Sequence, residues 1–167
     1  MTTNRSTSVA IIYQCDSLSE KVIRNRKKLQ RRLQQAIKDM VEDGYSNFIL
    51  PVDTADRHNP FPTTFIDAVV AEKGHNSNVY LTIMLPHEVE TEFSKTSAER
   101  MQNYTEHADC VIYAQKEHNF ETPNSSIEKL HSLSSATIAY FECSCSKLYF
   151  VTLHAQYNRQ SFVNINL

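Results

Sequence analysis

Glycine is the scarcest resource in this chain. Gly44 and Gly74 are the only two among 167 residues, where average usage gives about a dozen. Backbone phosphate cradles depend on glycine for positive φ and close approach, so a glycine-rich nucleotide loop is excluded. Neither a Walker motif nor a Gly-x-Ser-x-Gly elbow occurs, which argues against a P-loop NTPase and a serine hydrolase. Long apolar runs are missing as well. Val79–Leu85 and Thr137–Phe141 are far too short to cross a bilayer. The first residues, MTTNRSTS, hold no apolar h-region, so no secretory leader and no membrane association are expected. Four cysteines are too few for a disulfide scaffold, and in the cytoplasmic setting expected here they stay reduced. The net charge of −2 gives no whole-protein basic field that would argue for nucleic acid.

What is present fits an ordinary globular domain, with 41% hydrophobic and 22% charged residues. The expectation is a tail over residues 1–7 without fixed structure and one domain over 8–167. Ser8–Gln14 reads as a buried strand. Capping candidates follow over Asp16–Glu20, then a long helix with the stripe Val22, Leu29, Leu33, Ala36, Ile37, Met40 and Val41. Gly44 sits where a helix C′ residue belongs. Asn47–Val52 is a second strand, residues 53–62 a loop, and Thr63–Lys73 a helix burying Phe65, Ile66, Val69 and Val70. Further strands are expected at Asn78–Leu85, Asp109–Ala114, Ser135–Phe141 and Ser161–Ile165. Helices are expected at Ser97–His107, Asn124–Leu133 and Ser146–Tyr157. Strands alternating with amphipathic helices define the expected fold class: α/β, a doubly wound, mostly parallel six-stranded Rossmann-like sheet with helices on both faces.

In such sheets ligands bind outside the carboxyl ends of the strands, at the point where strand order reverses. The residues expected at that edge are Asp16, Asp53, Asp56, Arg57, Glu142, Ser144, Ser146 and Lys147. Asp53, Asp56 and Glu142 suit acid/base work or ribose hydroxyls. Arg57 and Lys147 suit a phosphate, as does the N-terminus of the helix starting near Ser146. Ordinary polar loop residues would look the same. A second feature is basic. Lys21, Arg24, Arg26, Lys27, Lys28, Arg31 and Arg32 lie within twelve residues holding no acid. Arg24, Lys27, Lys28 and Arg31 share one helix face, which suits nucleic acid or an acidic protein, or is simply a solvated face. No aromatic residue interrupts the run, which disfavours a single-strand stacking groove. Cys143-x-Cys145 has the wrong spacing for zinc, and His87-Glu88 lacks the second histidine of a zincin helix, so no metal and no cofactor is expected. Tyr149, Phe150, Leu153 and Tyr157 recur at helical spacing and read as core or as a dimer face.

Several fragments, in order, carry a family resemblance. Gly44-Tyr45 with Phe48-Ile49-Leu50 looks like a "G-Y-x-x-F-I" second strand. Val79–Pro86 looks like "I-x-L-x-x-x-x-P". Glu99-Arg100 through His107–Tyr113 looks like "R-Y-x-x-I-L-x-x-A-D-x-V-x-Y". Ser134–Tyr140, Val151–Ala155 and Ile165-Asn166-Leu167 look like "S-x-x-x-I-A-Y … T-V-x-Y-A … I-I-N-L". The set resembles the YpsA-like branch of the SLOG superfamily, over nearly the whole chain. That superfamily includes the Lonely Guy phosphoribohydrolases, the DNA-binding DprA proteins and sensors of nucleotide-derived ligands. The resemblance implies a Rossmann-like domain, a nucleotide-derived small-molecule ligand and a homo-oligomer. Three ligand-facing motifs depart from the pattern. Residues 51–60 replace the "G-x-A-x-G-x-D" turn, Ser126–Ser132 replaces "R-N-R-x-M-V-D", and Ser146-Lys147-Leu148 replaces "G-G-T". The expectation is therefore a non-catalytic binding domain with remodelled contacts. A glycosidic hydrolase of the Lonely Guy type, with Glu142 or Asp56 as its acid, is the enzymatic alternative.

Overall fold

The computed structural model describes residues 4–14, 19–52, 59–85, 102–114, 125–142 and 146–167, the side chains at 125, 126, 146–148 and 150 aside. Six strands form one sheet: β1 (Ser8–Gln14), β2 (Asn47–Pro51), β3 (Tyr80–Leu85), β4 (Cys110–Tyr113), β5 (Ala136–Phe141) and β6 (Ser161–Ile165). Every neighbouring pair is parallel, and the spatial order is β4-β3-β2-β1-β5-β6. The chain thus winds outward from β1 to β4, crosses back, and continues through β5 and β6. This is the doubly wound α/β sheet that the alternation of strands and helices implies.

Both faces are covered, so the central strands read as continuous apolar runs rather than alternating ones. Alternate residues of each strand serve opposite cores. Val9, Ile11, Phe48, Leu50, Leu81, Ile83, Ile138 and Tyr140 pack with helices α1 (Glu20–Arg24), α2 (Arg26–Glu42) and α3 (Pro60–Lys73). Ala10, Ile12, Ile49, Met84, Ala139 and Phe141 pack with α4 (Ser125–Leu133) and α5 (Ser146–Tyr157). At the amino edge a polar ladder crosses three strands. Thr82 Oγ1 donates to Asn47 Oδ1 at 2.8 Å, and Asn47 Nδ2 donates to Ser8 Oγ at 3.1 Å. Ser8 Oγ in turn donates to the Asn4 carbonyl at 2.8 Å. All three strand residues are buried, and the ladder satisfies groups that would otherwise destabilise the core by about 1–3 kcal/mol each.

Several boundaries differ from the sequence expectation, each for a local reason. The long first helix is two. Asn25 leaves helical geometry at φ −107°, and its side chain donates to the Lys21 carbonyl at 2.9 Å, closing α1 before α2 begins. The stripe Leu29, Leu33, Ala36, Ile37 and Met40 is buried as expected, while Val41 is half-buried. Gly44, at φ +94°, ends α2 in a Schellman motif: Tyr45 N–H donates to Met40 O and Gly44 N–H to Val41 O. Helix α3 starts three residues before the expected Thr63. Asn59 accepts from Phe61 N–H as N-cap, and Pro60 at the first position loses no hydrogen bond there. This earlier start buries Phe61, whereas Val70 stays partly exposed. Within the tail expected over residues 1–7, Arg5–Thr7 form a 3-10 turn capped by Asn4, and Thr7 O accepts from Ser46 N–H. Of the helix expected over Ser97–His107, residues 102–105 are described and helical, and the remainder up to 101 lies outside the described residues.

Among the described residues no helix is long and apolar enough to cross a membrane. Tyr149, Leu153 and Tyr157 lie on the exposed side of α5, Tyr157 at 89%, so the core alternative does not hold for these three; the Phe150 side chain lies outside the described residues. Among the described side chains of α5, Val151 and Ala155 pack inward.

Candidate functional site

Strand order reverses between β1 and β5, so the crevice of the fold opens beyond Gln14 and Phe141, which pair with each other. Glu142 is the first residue past β5. Its N–H donates to the Gln14 carbonyl at 3.1 Å, which fixes its backbone at the mouth of the crevice. Its carboxylate accepts from the Ser19 hydroxyl, Oγ to Oε1. Ser19 is also the N-cap of α1, accepting from Val22 N–H at 3.1 Å. One serine therefore ties the carboxylate of one strand end to the start of the helix that follows the neighbouring strand. A carboxylate held this way lies beside the switch point, where open parallel sheets bind their ligands.

Below this point lies an aromatic layer. Tyr13, Phe61 and Tyr140 stack in series, with ring centroids 4.6 Å apart for Tyr13–Phe61 and 5.3 Å for Phe61–Tyr140. Phe65 extends the stack from Phe61 at 6.3 Å. Tyr13 donates its hydroxyl to the Pro51 carbonyl at 3.1 Å, linking the carboxyl ends of β1 and β2. Such offset stacks add about 0.5–1.5 kcal/mol per pair beyond simple burial. They give the crevice a rigid floor.

Of the expected site residues, Glu142 is where the reading put it. Ser146 and Lys147 begin α5, the helix leaving the crevice on the far side of β5. Asp16, Asp53, Asp56, Arg57 and Ser144 lie outside the described residues. The reading missed Ser19 as a site residue, although its place among the capping candidates was the available signal. It also missed the aromatic floor, because Tyr13, Phe61 and Tyr140 meet only through the sheet register and the early start of α3. Among the described residues no group of three or more His, Cys, Asp or Glu is placed to hold a metal ion.

The basic run is exposed but divided by Asn25: Arg24 ends α1, while Lys27, Lys28 and Arg31 lie on α2, so the four do not share the face of a single helix. Arg24 pairs with Glu20 at 2.8 Å and Arg26 with Asp67 at 3.0 Å. Lys27, Lys28, Arg31 and Arg32 are exposed and enter no ion pair among the described residues.

A second polar cluster lies at the opposite, amino edge of the sheet. His131 of α4 stacks on His154 of α5, with centroids 3.9 Å apart. Burial and the neighbouring His154 charge lower the His131 pKa to about 4, against an opposing contact with Gln160. That contact falls short of hydrogen-bond geometry, and both His131 ring nitrogens lack a hydrogen-bond partner among the described residues.

Fold and crevice together define the class: a parallel α/β domain of Rossmann-like architecture with a carboxylate anchored at its switch point. No protein-family model matches the chain, and no curated protein matches it.

Proposed function

We propose that this chain is a non-catalytic, SLOG-like domain that binds a nucleotide-derived small molecule at the carboxyl ends of its strands. The observation that carries the reading is the Ser19–Glu142 contact at the switch point between β1 and β5. A carboxylate there accepts hydrogen bonds from vicinal hydroxyls of a ribose, as acidic residues do in dinucleotide-binding sheets. The N-terminus of α5 adds a positive dipole end suited to a phosphate. Homo-oligomerisation, which the resemblance implies, is proposed through the exposed α5 stripe of Tyr149, Leu153 and Tyr157.

A thermal-shift screen of nucleotides tests the proposal. A ligand at about a hundred times its Kd adds about 2.7 kcal/mol of stability, a shift of about 5–10 °C for a chain of this size. Glu142→Gln removes the charge but keeps the shape, and it is expected to weaken binding about tenfold, the worth of one charge-assisted hydrogen bond. A panel that shifts neither protein, or a shift identical in the variant, overturns the assignment.

A further inference from the structure

Helix α2 carries its charges against its own dipole. The positive end of a helix favours acids and the negative end favours bases. Here no acidic residue lies in the first turn and no basic residue in the last. Arg26, Lys27 and Lys28 open the helix, while Asp39, Glu42 and the C-cap Asp43 close it. Like charges also stack at four-residue spacing, Lys27 over Arg31 and Lys28 over Arg32, and such pairs oppose the helix. Arg24 and Arg26 find acids, but these four cations find none among the described residues. At 100° per residue they span one broad face, opposite the buried Leu29, Leu33 and Ile37. A local conflict with helix stability, maintained on an exposed face, is the mark of a surface kept for a partner.

The chemistry of the face selects the partner. The residues of α2 that are exposed include no large apolar side chain; Ile23, the nearest exposed one, belongs to α1. Protein interfaces draw their energy from buried aromatic and apolar anchors, and this face offers none. Residues 21–32 contain no aromatic side chain, so bases have nothing to stack on. A polyphosphate duplex needs neither. Its backbone presents about one charge per 1.7 Å of axis, and binding is driven by counterion release. The four cations occupy the opening turns of α2, about 6 Å apart along each four-residue row. We infer that the basic face of α2, through Lys27, Lys28, Arg31 and Arg32, docks on the phosphate backbone of a nucleic-acid duplex without reading its sequence.

The test is fluorescence anisotropy with a labelled mixed-sequence DNA duplex, a labelled oligothymidine and labelled polyglutamate. Four phosphate contacts give a log–log salt slope of about −3 to −4, a loss of about a hundredfold in affinity between about 50 and 200 mM salt. The double variant Lys28→Glu/Arg31→Glu is expected to bind the duplex at least about tenfold more weakly, with a slope shallower by about 2. The same variant sets acids beside Lys27 and Arg32 at four-residue spacing within α2, so its melting temperature is expected to rise by about 2–4 °C. Weaker binding with higher stability supports the proposal and rules out misfolding as its cause. A duplex that does not bind at low salt, or binds the variant equally, overturns it. So does tighter binding of polyglutamate, which would make the partner an acidic protein, or of oligothymidine, which would make it a single strand.

Discussion

His131 is buried to 2% exposure, its ring lies flat against His154, and neither nitrogen is hydrogen-bonded among the described residues. Its pKa in the folded chain, about 4, lies below the ordinary 6.5 because burial and the neighbouring ring disfavour the cation. An unfolded chain therefore takes up a proton near pH 6.5 that the folded chain refuses until about pH 4. The unfolded state binds more protons across that window, so stability falls as pH drops through it and levels off below. For one proton the slope is at most about 1.4 kcal/mol per pH unit. Urea unfolding at several pH values is expected to reveal this loss in the native chain and a flatter profile in His131→Leu. Equal slopes in both would place the pH dependence elsewhere. Arg159 supports a second prediction at this scale. It holds φ +52° just after α5, where Gln160 N–H reaches back to Ala155 O and Arg159 N–H to Gln156 O. This is the Schellman geometry that Gly44 serves after α2, here occupied by a residue with a Cβ. Arg159→Gly is expected to stabilise the fold by about 1 kcal/mol, since the left-handed conformation strains other residues by about that much. A melting temperature that falls would contradict this.

Secondary-structure elements were the most legible level of the sequence. Helix α5 and strands β1 and β6 fall within their expected limits, and β2 through β5 end within two residues of theirs. Periodicity succeeded because each strand is a short apolar run bounded by polar residues, and each helix buries one stripe. It failed where a single side chain decides. Asn25 breaks the first helix by bonding back to Lys21, and Asn59 with Pro60 starts α3 early. Both were visible as residues, but their caps compete with equally good helical continuations. In α5, Val151 and Ala155 face inward while Tyr149, Leu153 and Tyr157 face outward, a division that helical spacing alone does not decide. This contrast yields a paired prediction. Leu33→Ala in α2 removes a fully buried side chain and is expected to cost about 2–5 kcal/mol. Leu153→Ala in α5, at 45% exposure, is expected to change monomer stability by less than about 0.5 kcal/mol. Denaturant melts of both variants at low protein concentration check the pair, and a large loss in Leu153→Ala would mean that α5 packs as part of a core.

At the scale of the whole molecule, the strand order creates the place where function is expected. The alternation of strands and helices was enough to specify a doubly wound sheet, but not which strands flank its switch point. That follows from β5 pairing with β1 rather than with β4. Only then does Glu142, one of several acids in the sequence, become the acid beside Ser19. The contact joins residues 123 positions apart, so no local pattern could carry it. The cations of α2 lie opposite the stripe that packs this helix onto the fold. The central claim is that the crevice is a working ligand site. Native mass spectrometry of the protein purified from cells tests it most directly. The account predicts a nucleotide-sized adduct that is retained by the native chain and lost, or much reduced, in Glu142→Gln. A bare chain that no nucleotide stabilises in solution would contradict it.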